Sequence, residues 1–262
     1  MKLPALVFTD LDGTLLDHHT YQFSEAESAL NRLKAESIPV ILNSSKTLEE
    51  MKILAEALAP ESPIIAENGS LIFNPVTRDT QLLGPDYVSI CRILNQLRDR
   101  NHYPFMGFQD WSIETLSQKT GLDLLSAAHA KKRSASEPIL WHGSGEHLLE
   151  FKRDLADYKL TLKQGGRFWH VMGETDKVTA MQALVKQYTA THSIRPTVIA
   201  LGDGPNDLDM LRAADIGVIV NNPSGTPISL QSTPKNQIIK TQEPGPKGWN
   251  TAILQILAAL GD

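Results

Sequence analysis

The chain has 262 residues, 41% apolar and 21% charged, enough apolar content to fill the core of one or two domains. Its 25 Lys and Arg stand against 30 Asp and Glu, and a net charge of -5 excludes the broad basic field that holds nucleic acid. No stretch approaches the ~18 apolar residues needed to span a bilayer, no small-residue cleavage site follows M-K-L-P-A-L-V-F-T-D, and the lone Cys91 excludes an internal disulfide and Cys-based zinc, so a soluble, non-exported protein of the reducing cytoplasm is expected.

Residues 5–9 are predicted as a buried strand ending in the D-L-D-G-T turn. A helix should then start near Ser24, where Ser24 and Glu27 have the spacing of a capping box ahead of Leu30 and Leu33. Residues 39–43 read as a second strand. Thr47 and Glu50 form another capping box, opening a helix with Leu48, Met51, Leu54 and Leu58 that should stop before Pro60. A third strand follows at 63–66.

The rhythm changes between about Gly84 and Gly173. Helices are predicted near 88–99 and 146–157, with strands at 138–141, 159–162 and 167–172. The first pattern then returns as a helix at 176–188, a strand at 197–201, a helix after Pro205 and a strand at 216–220. Alternating strands and helices at both ends predict an α/β fold, a Rossmann-like parallel sheet covered by crossover helices. Gly84-Pro85 and Gly173 mark the edges of an inserted α+β unit. The expected division is a core of residues 1–84 and 173–262 with an insert of 85–172.

Asp10-Leu11-Asp12-Gly13-Thr14 sits at the carboxyl end of a buried strand, where open α/β sheets bind ligands. Carboxylates so close repel, and a hard divalent cation such as Mg2+ relieves that repulsion. A solvated turn with helix-capping acids, a calcium loop, and the D-x-D of a nucleotide-sugar transferase are alternatives. The calcium loop lacks an acid where Tyr21 stands. Gly202-Asp203-Gly204-Pro205-Asn206-Asp207 lies between another strand and helix. It has two glycines of a dinucleotide loop but not the third, and its acids would repel a pyrophosphate. Asp203 suits a metal ligand, and Asp207 could orient a bound water or a neighbouring side chain. Asn43-Ser44-Ser45-Lys46 and Lys177 are each ordinary as turn, cap or surface residues. Together, a hydroxyl and an ammonium can hold the oxygens of a transferring phosphoryl group.

In this order, D-L-D-G-T, the Ser44 strand end, Lys177 and G-D-G-P-N-D resemble the four motifs of the haloacid dehalogenase-like phosphatases. The resemblance covers essentially the whole chain and implies a Cof-like member with a C2-type cap formed by the insert. Ser45-Lys46-Thr47, Glu67-Asn68-Gly69, Ser136-Glu137-Pro138 and Gly166-Arg167-Phe168-Trp169-His170 look most like the mannosyl-3-phosphoglycerate phosphatases of that superfamily.

The resemblance implies Asp10 as nucleophile and Asp12 as general acid and base. It implies Mg2+ held by Asp10, the backbone carbonyl of Asp12 and Asp203, and phosphate held by Ser44 and Lys177 with help from Asn206. A small phosphorylated molecule is the implied substrate. Arg167 or Arg133 would grip its carboxylate and His170 a sugar hydroxyl, while Lys46 would add charge from the core. The plain alternative makes Arg167 a surface residue and Phe168, Trp169 and His170 packing of the insert. Competing functions are a phosphatase for another sugar phosphate, glucosyl-3-phosphoglycerate included, a sugar phosphomutase, a nucleotide-sugar transferase and a phospho-accepting receiver module.

Overall fold

The structure, a computed structural model, describes residues 4–165 and 167–261. Chain order begins with β1 (Ala5–Thr9), α1 (Glu27–Ala35), β2 (Val40–Asn43), α2 (Leu48–Leu58), β3 (Ile64–Ala66), β4 (Leu71–Phe73) and β5 (Thr80–Leu82). The next run is α3 (Tyr87–Asn101), β6 (Phe105–Gly107), α4 (Ile113–Thr120), α5 (Leu124–Lys131), β7 (Ser136–Trp141), α6 (Gly145–Ala156), β8 (Leu160–Gln164) and β9 (Trp169–Gly173). The chain closes with α7 (Lys177–His192), β10 (Thr197–Gly202), α8 (Leu208–Ala213), β11 (Ile216–Asn221), β12 (Gln237–Pro244) and α9 (Gly245–Gly261).

Among the described residues the larger sheet has eight strands in the order β12-β11-β10-β1-β2-β3-β4-β5. The strands from β12 to β3 are parallel, and β4 and β5 add an antiparallel edge. Alternation along the strands divides the core into two layers. Ala5, Val7, Leu42, Ile199, Leu201 and Val218 pack under α1, α2 and α9, around Leu33, Met51 and Trp249. Leu6, Phe8, Ile41, Val198 and Ala200 pack under α7 and α8, against Met181, Leu184 and Met210. The fold is therefore the expected α/β one. Register pairs Thr9 with both Leu42 and Leu201, so β1, β2 and β10 end together and turn their next residues to one edge.

A second, antiparallel sheet has the order β6-β7-β9-β8. Its α3 and α6 face is filled by Ile90, Leu94, Phe151, Leu155, Ile139 and Val171. The register places Ser136, His170 and Lys163 on the opposite face, from which Ser136 reaches Glu67 and Lys163 approaches Asp176 of the larger unit. No helix among the described residues is long and apolar enough to cross a membrane.

Several local expectations change. Thr47 and Glu50 form their reciprocal capping box, but Ser24 and Glu27 do not. Ser24 already lies inside a short 3-10 turn, closed by Ala26 N–H donating to the Phe23 carbonyl, and α1 starts only at Glu27. The strand expected from 159 starts at Leu160, because Lys159 takes φ 56° where α6 ends. The strand expected from 167 starts at Trp169, because Gly165 N–H bonds the Phe168 carbonyl and folds Arg167 into the turn. Gly166 of the motif quoted above lies outside the described residues.

Candidate active site

Asp10 follows β1 directly and is buried. Its Oδ1 accepts a hydrogen bond of 2.5 Å from Lys177 Nζ, which also donates to Asp207 Oδ1 at 2.7 Å. Lys177 opens α7, where Asp176 caps the helix by accepting from Thr179 N–H. The Lys177 side chain is 2% exposed, so its ammonium persists in the interior only between these two carboxylates. Burial works against that charge, yet the two acids win and push the lysine's pKa upward.

Asp207 uses its other oxygen on the backbone of the turn after β10. Oδ2 accepts from Asp203 N–H at 3.2 Å and Gly204 N–H at 3.1 Å. Both Asp207 oxygens thus have protein partners, one the lysine and the other the turn. Asp203 is held from two sides. Thr14 Oγ1 donates to its Oδ1 at 2.5 Å, and Asn222 Nδ2, just past β11, donates to its Oδ2 at 2.6 Å. Gly13 makes this approach possible. It takes φ 82°, and a Cβ there would lie 2.6 Å from Asn222 Nδ2 and 2.9 Å from Asp203 Oδ2.

Asp12 pairs through Oδ2 with Lys46 Nζ at 2.9 Å, while its Oδ1 is buried without a partner. Burial opposes the Lys46 charge, but Asp12 more than compensates and the pKa rises. Ser44 is 1% exposed, and Asn43 Nδ2 donates to the Lys177 carbonyl, tying the β2 end to α7. Asn206 is exposed in the turn.

The insert residues are placed less simply. Arg133, expected to face a substrate carboxylate, is 3% exposed and has other partners. It donates to the Ser136 carbonyl and hydroxyl and to the Ser45 carbonyl, and lies 3.6 Å from Glu67. This corrects that expectation, because its donors close the seam between the two units. Arg167 is exposed and donates to the Lys119 carbonyl at the end of α4. His170 Nδ1 is buried without a partner, and burial together with the Arg133 charge pushes the ring's pKa down to about 3, leaving it neutral. Thr14, Asn222, Asn43 and Glu67 belong to the cluster or its support without having been assigned a role from sequence. Thr14, Asn43 and Glu67 lie inside motifs quoted from the sequence, and for Asn222 the signal was position, just past the end of a strand of the parallel sheet.

Oxygen atoms of Asp10, Asp203 and Asp207 lie within 4.8 Å of one another. Four carboxylates, those of Asp10, Asp12, Asp203 and Asp207, share the site with the two ammoniums of Lys46 and Lys177. That imbalance, the all-oxygen donors and the orphaned Asp12 Oδ1 fit a hard divalent cation. Burial first, then the neighbouring acids, push Asp10 up to about 8 against the pull of Lys177, and burial raises Asp203 as well. A proton on Asp10 therefore competes with a bound cation. Apparent Mg2+ affinity is therefore expected to fall by up to about tenfold per pH unit as pH drops below about 8. Titration calorimetry in buffers of different ionisation enthalpy checks this, and an affinity flat with pH and without proton release contradicts it.

Solved structures share this fold. A haloacid dehalogenase-like hydrolase from Bacteroides thetaiotaomicron is 21% identical, with TM-score 0.69, covering 97% of this chain and 99% of its own. A phosphatase of that superfamily from the same organism is 16% identical, with TM-score 0.66, covering 99% and 96%. A sugar phosphatase of subclass IIB is 16% identical, with TM-score 0.59, covering 82% and 87%. At these identities the likeness establishes a shared fold. Residues 7–227 match the haloacid dehalogenase-like hydrolase family, a span that begins within β1 and runs past Asn222. It takes in every strand end that supplies the cluster, and the chain belongs to the haloacid dehalogenase-like hydrolases.

Proposed function

We propose that the chain is a Mg2+-dependent phosphatase that hydrolyses a phosphate monoester through an aspartyl-phosphate on Asp10. The carrying observation is the buried Asp10 carboxylate, held through one oxygen by Lys177, with no protein hydrogen bond to the other oxygen among the described residues. In this reading Oδ2 is the atom that attacks phosphorus. As the new P–O bond forms, the substrate's P–O bond breaks and Asp12 gives the leaving alkoxide its proton. Water then attacks the phosphorus, Asp12 takes the water's proton, and the acyl-phosphate P–O bond breaks to return Asp10 and release phosphate. Lys177 and Ser44 hold the equatorial oxygens while charge moves. Mg2+, held by Asp10, Asp203 and the Asp12 backbone, would supply charge neutralisation at the phosphoryl oxygens.

The insert acts as a cap that selects the substrate, for which we propose mannosyl-3-phosphoglycerate, hydrolysed to mannosylglycerate. Support comes from the residues quoted for that resemblance and from the sugar phosphatase among the structural neighbours. Lys46 at the core and neutral His170 on the cap face offer a cation for a carboxylate and a hydrogen-bonding ring for a hydroxyl. Phosphate release from sugar phosphates, 3-phosphoglycerate and its mannosyl and glucosyl derivatives, with and without Mg2+, is the test. Preference for the mannosyl compound with Mg2+ supports the reading. Preference for another sugar phosphate overturns the substrate, a stable phosphoprotein without turnover points to a receiver, and isomerised sugar phosphate points to a mutase.

A further inference from the structure

The turn Glu67-Asn68-Gly69 after β3 runs through three successive positive φ values, 53°, 57° and 91°, although two of its residues carry a Cβ. Left-handed backbone at Glu67 and Asn68 is sterically disfavoured and persists where surrounding contacts over-determine it. Those contacts reach three separate parts of the site. Glu67 N–H donates to the Lys46 carbonyl and Asn68 N–H to the Ser44 carbonyl, both at 2.9 Å. Gly69 lies against the start of α7. Its carbonyl accepts from Thr175 Oγ1 at 3.0 Å, and a Cβ on it would meet the Asp176 carbonyl oxygen at 2.1 Å and Lys177 N at 2.8 Å.

The third contact is the Glu67 side chain, which is fully buried and points into the insert. Oε1 accepts from Ser134 N–H at 2.7 Å, and Oε2 accepts from Ala135 N–H at 3.1 Å and Ser136 Oγ at 2.7 Å. Arg133 lies beside this carboxylate and donates through Nη2 to the Ser45 carbonyl at 3.0 Å, returning the insert to the same loop that carries Ser44 and Lys46. A buried carboxylate and guanidinium gain little net stability as a pair, but each left alone is costly, so the arrangement favours one relative placement of the two units.

We propose that Glu67 is a positioning residue, whose carboxylate locks residues 134–136 of the insert onto the turn that also fixes Ser44, Lys46 and Lys177. Docking of the insert and alignment of the phosphate-holding groups are then one event. The catalytic part of this inference rests on the phosphatase reading; the mechanical part does not.

The experiment compares amide hydrogen exchange and p-nitrophenyl phosphate hydrolysis in the wild type, Glu67→Gln, Ser136→Ala and the double variant. Exchange in Glu67→Gln is expected to rise about tenfold at residues 134–136 and also at 44–46, with β10 unchanged. The kcat is expected to fall about tenfold or more with KM within about twofold, as for misplaced groups. The double variant should be no slower than the slower single, because both changes break the same lock. Ser136→Ala leaves no charge unpaired and carries the same test should Glu67→Gln not fold. Faster exchange confined to 134–136, or losses that add in the double variant, overturns the proposal. A wild type that releases no phosphate from any monoester sinks the phosphatase reading instead, while the exchange at 44–46 still decides the lock.

Discussion

Asp10→Asn is expected to lower phosphate release by about 10^4-fold or more, because an amide is a poor nucleophile toward phosphorus and the covalent route is lost. The substitution is nearly isosteric, and Lys177 keeps its second partner, Asp207, at 2.7 Å. The fold should therefore survive, and circular dichroism with kcat/KM on one monoester separates lost chemistry from lost structure. Hydrolysis at the wild-type rate would remove Asp10 from the nucleophile's role. The same change deletes one of the carboxylates that form the oxygen cluster, so Mg2+ affinity should fall with it.

Lys177→Ala should cost about 2 to 4 kcal/mol of transition-state stabilisation, roughly 30- to 1000-fold in kcat/KM, the scale of one lost electrostatic donor in a dry site. A second consequence has a definite sign. Burial is the largest influence on Asp10 and raises its pKa, while Lys177 pulls it down. Without the ammonium, Asp10 holds its proton to higher pH, so the acidic limb of the pH–rate profile should move upward. Unchanged kcat/KM, or a profile with the same acidic limb, would count against Lys177 as the group that keeps the nucleophile charged.

Asp10, Asp12 and Asp203 were legible because their placement is local. Asp10 and Asp203 stand at the ends of short apolar runs, Asp12 lies two residues beyond Asp10, and parallel strands in register present their carboxyl ends to one edge. Asn222 stood outside every motif, and Thr14, though inside D-L-D-G-T, gave no sign of its partner, because its bond to Asp203 joins residues 189 apart in the chain. Arg133 shows how residue chemistry can be read correctly and the partner missed. Its guanidinium does sit beside a carboxylate, but that carboxylate is Glu67 of the protein itself. Ser24 and Glu27 have the spacing of a cap, yet the chain was already turning at Ser24. β4 and β5 are three residues each, too short for a period of two to show, and they are strands through the pairing of β4 to β3 and of β5 to β4. β12 and α9 follow a stretch rich in Ser and Pro that gives no sign of the parallel pairing to β11.

The central claim is a covalent phosphoryl group on Asp10, and rapid acid quench of a single turnover with radiolabelled substrate, followed by peptide mapping, measures it most directly. Label is expected on the peptide containing Asp10, rising before free phosphate and absent in Asp10→Asn. Free phosphate appearing with no protein-bound label at any time, or label on another residue, would contradict it.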